Sequence, residues 1–231
     1  ISLSRTLSVN TDFHSLLVFV HVVLFVYSIG GDIAVFYIGK YLTREDIGLD
    51  ERLRVRDIRL MVDMSARTCL VLLLPVGFTL ATAYNSPLTG PWLILFWGAD
   101  LSWLWLVWVI HAKRGTPLGA TLRTIDIWIR YGVAAGMIGF GAYSFLSDGP
   151  IYDGWLATKI TLYGVVILNG IWIRSIIGHW QGAYDLVRAG GDEKICGEQR
   201  MKEIQAASNR AAFSIWVLVM VMAFMGQVKP F

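Results

Sequence analysis

The chain has 231 residues, 55% of them hydrophobic, with ten Trp and a formal net charge of +3, and its mean hydropathy is +0.56. Apolar residues fall in several runs near or above the ~20 needed to cross hydrocarbon as a helix, which excludes a soluble globular domain and predicts an all-α integral membrane protein. Basic residues are spread over several connections with acids among them, so nothing here fits nucleic acid, and Cys69 and Cys196 make neither a disulfide framework nor a metal motif.

After a polar lead-in, Ile1 to Asp12, six transmembrane helices are expected in one bundle and one membrane domain, at roughly 13–38, 60–84, 91–112, 127–147, 155–177 and 211–227. The first lacks a small-residue cleavage pattern behind it and reads as a retained span rather than a signal peptide. The segment Arg44 to Arg59, with mixed charges, reads as a solvated helical extension, and Cys196 to Arg210 as an amphipathic surface helix leading into the last span. Asn85 to Gly90 and Asp148 to Gly154 are turn-rich and should join tight antiparallel pairs, span two with three and span four with five. Neither of those loops carries Lys or Arg, whereas the other three connections hold Lys40 to Arg59, Lys113 to Arg123 and Arg174 to Arg210. By the positive-inside rule the basic connections are cytoplasmic and both termini lie on the other side, as in a bacterial inner membrane protein. Arg5 and Lys229 are minor exceptions.

The two hairpins match without a gap at an offset of 63 residues: Asp63 with Asp126, Arg67 with Arg130, Pro87 with Pro150 and Trp92-Leu93 with Trp155-Leu156. This predicts a duplicated helical hairpin, running in the same direction in both copies.

The ionisable residues inside the spans sort by depth. His21 and Lys159 fall at neighbouring depths in the outer half, while Asp32, Asp63, Arg67, Asp126 and Arg130 fall in the inner third. In the outer layer His21 reads as a haem axial ligand and metal ligand, a proton carrier, or interhelical hydrogen-bonding glue. Lys159 reads as a proton donor or acceptor, or as a snorkelling side chain. Tyr27, Tyr163 and Asn169 could supply hydrogen bonds around the same cavity, and Asp100 is a further carboxylate in mid-span. In the inner layer each Asp-x-x-x-Arg reads as an i,i+4 structural pair; alternatively Arg67 and Arg130 hold an anionic group such as a propionate or lipid phosphate, with Asp32 as counter-charge and Gly30-Gly31 admitting a helix or a flat ligand. His14, His111 and His179 read as interfacial, with His111 a candidate ligand of a separate site, and the Trp residues as belt or packing residues.

His21-Val-Val-Leu-Phe-Val-Tyr-Ser-Ile-Gly30-Gly31 resembles the opening helix of the HemJ-type membrane protoporphyrinogen oxidases and their CopD-like relatives, in which a His is followed about nine residues later by Gly. Arg130-Tyr131-Gly132 through Gly154-Trp155-Leu156-Ala157-Thr158-Lys159 is similar to that family's second and third helices, and Asn209-Arg210 with Lys229-Pro230-Phe231 to its ending. The resemblance touches about half of the chain in three pieces. It implies a haem-b-binding bundle with His21 as an axial ligand and Lys159 required for function. The family has four helices and this chain an extra hairpin, and where the family has a His late in its third helix this chain has Leu168, Asn169 and Gly170.

The expectation is an integral membrane redox protein binding haem b, and in one version a quinone, that transfers electrons and protons between a membrane-soluble or porphyrin-like substrate and a quinone or partner subunit. In it Lys159 and Asp32 act on protons, and His21, Arg67, Arg130, Tyr27 and Asn169 hold the cofactor or substrate. The alternatives are a cofactor-free transport protein or an accessory or structural subunit of a larger membrane complex.

Overall fold

The computed structural model describes residues 12–84, 86–147 and 149–230. Most of the lead-in with Arg5, together with Asn85, Asp148 and Phe231, lies outside the described residues. The described chain is helical throughout: α1 Phe13–Tyr41, α2 Leu49–Ala81 with a closing 3-10 turn at Thr82–Tyr84, α3 Pro91–Ala112, α4 Pro117–Leu146, α5 Gly154–Ile177, α6 Trp180–Ala189 and α7 Gly191–Val228. Starts are set by local chemistry. Asp12 caps α1 by accepting from the His14 amide, Thr116 caps α4 by accepting from the Gly119 amide, and Pro91 and Pro117 open α3 and α4, where their missing donor costs nothing. Gly190 and Gly191, at φ 83° and 57°, make the break between α6 and α7.

Five helices, α1, α2, α3, α5 and α7, are long and apolar enough to cross a membrane. The large apolar side chains they leave outside, such as Phe19 and Val26 on α1, Ile94 and Trp105 on α3, and Phe213 and Phe224 on α7, are what a lipid-facing surface needs. The helices form an up-and-down bundle. One end carries the loops after α2 and α4 and is here the hairpin end; the other carries α6.

Several boundaries differ from expectation. Helix α4 begins ten residues earlier than the hydropathy pattern suggests, because Thr116 and Pro117 start a helix whose first turns are polar. Helix α7 is continuous, so Cys196 to Arg210 is not a separate surface helix but the first half of a 38-residue rod. Helix α6 was not expected. It buries Trp180, Ala183, Tyr184 and Val187, one face at helical spacing, against a cluster with Leu42, Met201 and Ile204. The segment Arg44 to Arg59 is not solvated throughout either, since Arg52 and Arg59 are both buried.

The most extensive helix pairings are α1 with α2 and α4 with α5, followed by α5 with α7 and α6 with α7; α2 and α3 touch much less. Small residues explain the first two. A Cβ at Gly31 would sit 2.8 Å from Ala66 Cβ, and one at Gly164 would sit 2.7 Å from Ile138 Cγ1 and 2.9 Å from the Ala134 carbonyl oxygen, so these backbones meet at the distance small-residue packing permits. Gly31, not Gly30, makes the approach; nothing lies within 4 Å of a Cβ at Gly30. Gly164→Ala is expected to lower stability by about 1–3 kcal/mol, the usual cost of overpacking a fixed contact, measured as a reduced thermal midpoint in detergent. Gly30→Ala serves as the control that leaves it unchanged.

Candidate functional site

The described residues place the charged groups of the spans in two layers, as depth predicts, with one carboxylate between them. Toward the α6 end three carboxylates, Asp32, Asp63 and Asp126, gather with Arg67, Arg130 and Arg174. Asp126 is the centre. It is 0% exposed and accepts hydrogen bonds from Trp103 Nε1 at 2.8 Å, Arg130 Nε at 3.0 Å and Arg174 Nη1 at 2.5 Å. The Arg130 guanidinium also lies 5.1 Å from the Trp103 ring centroid, a cation–π contact inside a buried site. Asp63 pairs with Arg67 at 2.6 Å, and Asp32 has these two as its charged neighbours. Three helices beyond α1 thus meet on one carboxylate, a concentration of charge that hydrocarbon tolerates only when paired.

Arg67 and Arg130 are therefore both engaged by the Asp one turn before them, the structural reading of the Asp-x-x-x-Arg pattern. Arg130 Nη2 remains buried without a partner among the described residues. Arg174, placed by sequence among the basic residues of a connection, instead joins this cluster from α5; no local spacing announces a contact across 48 residues.

At the hairpin end His21 lies against α2, its Cε1 3.5 Å from where a Cβ of Gly77 would be. Its Nδ1 is buried with no hydrogen-bond partner among the described residues. Lys159 is within electrostatic reach of His21, and its Nζ lies over the backbone of α7, 2.7 Å from a Cβ built at Gly226. Among the described residues it has no acidic partner within salt-bridge distance. The end is closed by Lys229, which donates to the Tyr84 hydroxyl and stands 4.6 Å and 5.6 Å from the ring centroids of Tyr84 and Trp155.

Two residues expected at this cavity are elsewhere. Tyr27 is 65% exposed and faces away from the bundle. A uniformly apolar α1 gives no facing signal, so the sequence could not orient it. Asn169 donates to Ser214 Oγ, joining α5 to α7, ten residues or about 15 Å along α5 from Lys159. Tyr163 is buried between the layers, its hydroxyl donating to the Leu70 carbonyl at 2.7 Å. That carbonyl lies just before the turn in which Pro75 removes a helix donor.

The other histidines do not join a site: His14 and His179 are exposed and His111 is half-buried near the end of α3. No group of three or more His, Cys, Asp or Glu able to hold a metal ion occurs among the described residues. A cavity of about 290 Å³ lies at the α6 end beside His179, Arg200 and Glu203, and a smaller one of about 180 Å³ at the hairpin end beside Ser144, Tyr152 and Ala157. Neither is lined by His21, Lys159 or the Asp126 cluster. Glu45, in the connection between α1 and α2, pairs with Lys202 of the polar first half of α7 at 2.5 Å, and the Lys202 ammonium holds that carboxyl below its usual range by donating to it.

No family model matches the sequence, and the comparisons with curated proteins and with solved structures give no match either.

Proposed function

We propose that this chain is an integral membrane redox protein that couples electron transfer to proton movement, with its reactive centre at His21 and Lys159. The observation that carries the reading is the His21 imidazole, held in the bundle with Nδ1 unpartnered and with the Lys159 ammonium in reach. In a membrane interior an ionisable group left without a partner is a site by default. Were a haem b bound here, His21 would be its one protein axial ligand; no second His lies in that layer. Such a haem would supply one-electron chemistry. The chain's own contribution is then proton handling: Lys159 Nζ, close to a helix backbone and without an acidic partner among the described residues, gives or takes a proton on a membrane-soluble or porphyrin-like substrate or a quinone. Asp32, beside the Asp63 and Arg67 pair, is the candidate proton carrier of the second layer, and Arg130 Nη2, buried without a partner among the described residues, is a guanidinium donor open to an anionic substituent. The resemblance of the His21 to Gly31 stretch to the HemJ-type and CopD-like proteins supports this reading.

The reading includes α4 as a sixth span. It runs antiparallel to α5 along most of its length and its buried Asp126 and Arg130 are mutually paired, which lowers the cost of placing them in the membrane. It also keeps the hairpin duplication, supported by the equivalent Asp63 to Arg67 and Asp126 to Arg130 pairs, although the second hairpin is packed far more closely than the first. Positive-inside orientation puts the α6 end in the cytoplasm of a bacterial inner membrane and both termini outside.

The test is a reduced-minus-oxidised visible spectrum of protein purified in detergent. A haem b spectrum that disappears in His21→Ala is the expected result; a colourless protein, or a spectrum indifferent to that substitution, overturns it. A second reading, a cofactor-free transport or accessory subunit, is favoured by the single His in the hairpin-end layer. It predicts proteoliposome flux that depends on Asp32 or Lys159 without any chromophore.

A further inference from the structure

Asp100 lies near the middle of α3 and is 4% exposed, and both of its carboxylate oxygens are buried with no hydrogen-bond partner among the described residues. Its treatment by the fold contrasts with that of Asp126. The latter, equally buried, collects two guanidinium groups and an indole; Asp100, one turn along α3 from that same indole, collects nothing. An ionised carboxylate stripped of water and donors is among the least tolerated groups in a protein interior, whereas the neutral acid is not.

The charged and titratable groups around it are accounted for by helix. Helix α4 brings Asp126 and Arg130, tied to each other and to Trp103. Helix α2 brings Asp63 and Arg67, likewise paired, and opposes α3 with Met64 and Val71. On α3 itself the nearest titratable side chain is His111, about three turns away. The remaining group is Tyr163 of α5, within electrostatic reach of Asp100 and committed through its hydroxyl only to the Leu70 carbonyl. Among the described residues no guanidinium or ammonium makes a hydrogen bond or salt bridge to Asp100.

We propose that Asp100 is a proton-binding site at the centre of the bundle, resting as the neutral carboxylic acid and releasing and regaining one proton, with Tyr163 as the hydroxyl that turns to the carboxylate when the proton has left. The reaction is the dissociation of one carboxyl O–H into a carboxylate and a proton accepted by water; no bond to carbon changes. The Tyr163 hydroxyl, which donates to the Leu70 carbonyl while Asp100 holds its proton, reaches the carboxylate by a change of side-chain rotamer. The site stands between the Asp126 cluster and the His21 and Lys159 layer, so it is placed to pass protons from one to the other. The assignment goes beyond the redox reading and does not need a haem.

Infrared difference spectroscopy of the full chain in lipid vesicles tests it. A protonated carboxylic acid C=O stretch at neutral pH that is lost in Asp100→Asn, and whose frequency or titration midpoint moves in Tyr163→Phe, is the expected outcome. Absence of the band from the native protein, or its persistence in Asp100→Asn, overturns the proposal. Should Asp100→Asn not fold, the native protein is treated with a hydrophobic carbodiimide, which reacts with protonated carboxyls, and the adduct is mapped by mass spectrometry: modification at Asp100 supports the site, and modification elsewhere without Asp100 overturns it. The band with no haem spectrum would sink the redox reading alone, and a haem spectrum with no band this one alone.

Discussion

Asp126→Ala is expected to destabilise the bundle by about 3–5 kcal/mol, the cost of removing one partner from a buried ion pair. The size follows from what is left behind. Arg130 and Arg174 both direct guanidinium groups at this 0% exposed carboxylate, and Arg67 is close enough to add repulsion to Arg174. Without the carboxylate, three arginines face one another with only Asp63 and Asp32 between them, and Trp103 loses the acceptor for its indole N–H. Asp126→Asn should recover part of the loss, since an amide oxygen still accepts from Trp103 but brings no charge to the arginines. Fluorescence-detected size-exclusion after a thermal ramp in detergent reads the effect. A midpoint for Asp126→Ala equal to that of the native chain would show that these contacts hold nothing together. Replacing Asp126, Arg130 and Arg174 together by apolar residues of similar volume should be milder than Asp126→Ala alone, because it is the unpaired charge, not the missing pair, that carries most of the penalty.

That cluster also shows where reading a membrane sequence succeeds. Hydropathy length and turn residues place α3 at its observed bounds and α5 within a residue, because proline and glycine loops end helices by local chemistry that needs no partner. The i,i+4 pairs are legible for the same reason: Asp63 with Arg67 and Asp126 with Arg130 are fixed by helix geometry alone. Arg174 is not, since its contact depends on which face of α5 meets α4. Facing is the information that an apolar helix lacks. Tyr27 turned outward and Asn169 turned toward α7 for the same reason, and no period along α1 or α5 distinguishes lipid from neighbour. Asp100 was visible as an anomaly, but its lack of a partner is a fact of packing. Helix α6 and the burial of Arg52 were hidden differently. A mixed-charge stretch reads as solvated unless the opposing helix is known, and here the opposing charge, Glu198, is 146 residues away.

That buried pair carries the second large effect. Arg52 is 2% and Glu198 5% exposed, and the guanidinium grips both carboxylate oxygens, Nη1 to Oε2 at 2.7 Å and Nη2 to Oε1 at 2.6 Å. The fork geometry is the strong form of an arginine contact with a carboxylate, and it fastens the start of α2 to α7 beneath α6, whose Tyr184 and Met201 neighbours are fully enclosed. Glu198→Ala strands the guanidinium, whose Nε already lacks a partner among the described residues, and should cost about 3–5 kcal/mol. Arg52→Lys should cost less but not be neutral, since an ammonium cannot match two oxygens at once. The double substitution Arg52→Met with Glu198→Leu is expected to restore most of the stability, because the cluster of Leu42, Trp180, Tyr184 and Met201 already provides an apolar setting. A double-mutant cycle on the thermal midpoints separates the cases: a coupling near zero would mean that α2 and α7 are held in place by apolar packing alone. A large coupling with the double variant restored would place the pair's main role in fixing the register of α2 against α7. The hydrogen bonds to Asp126 do not supply that register, because they tie α3, α4 and α5.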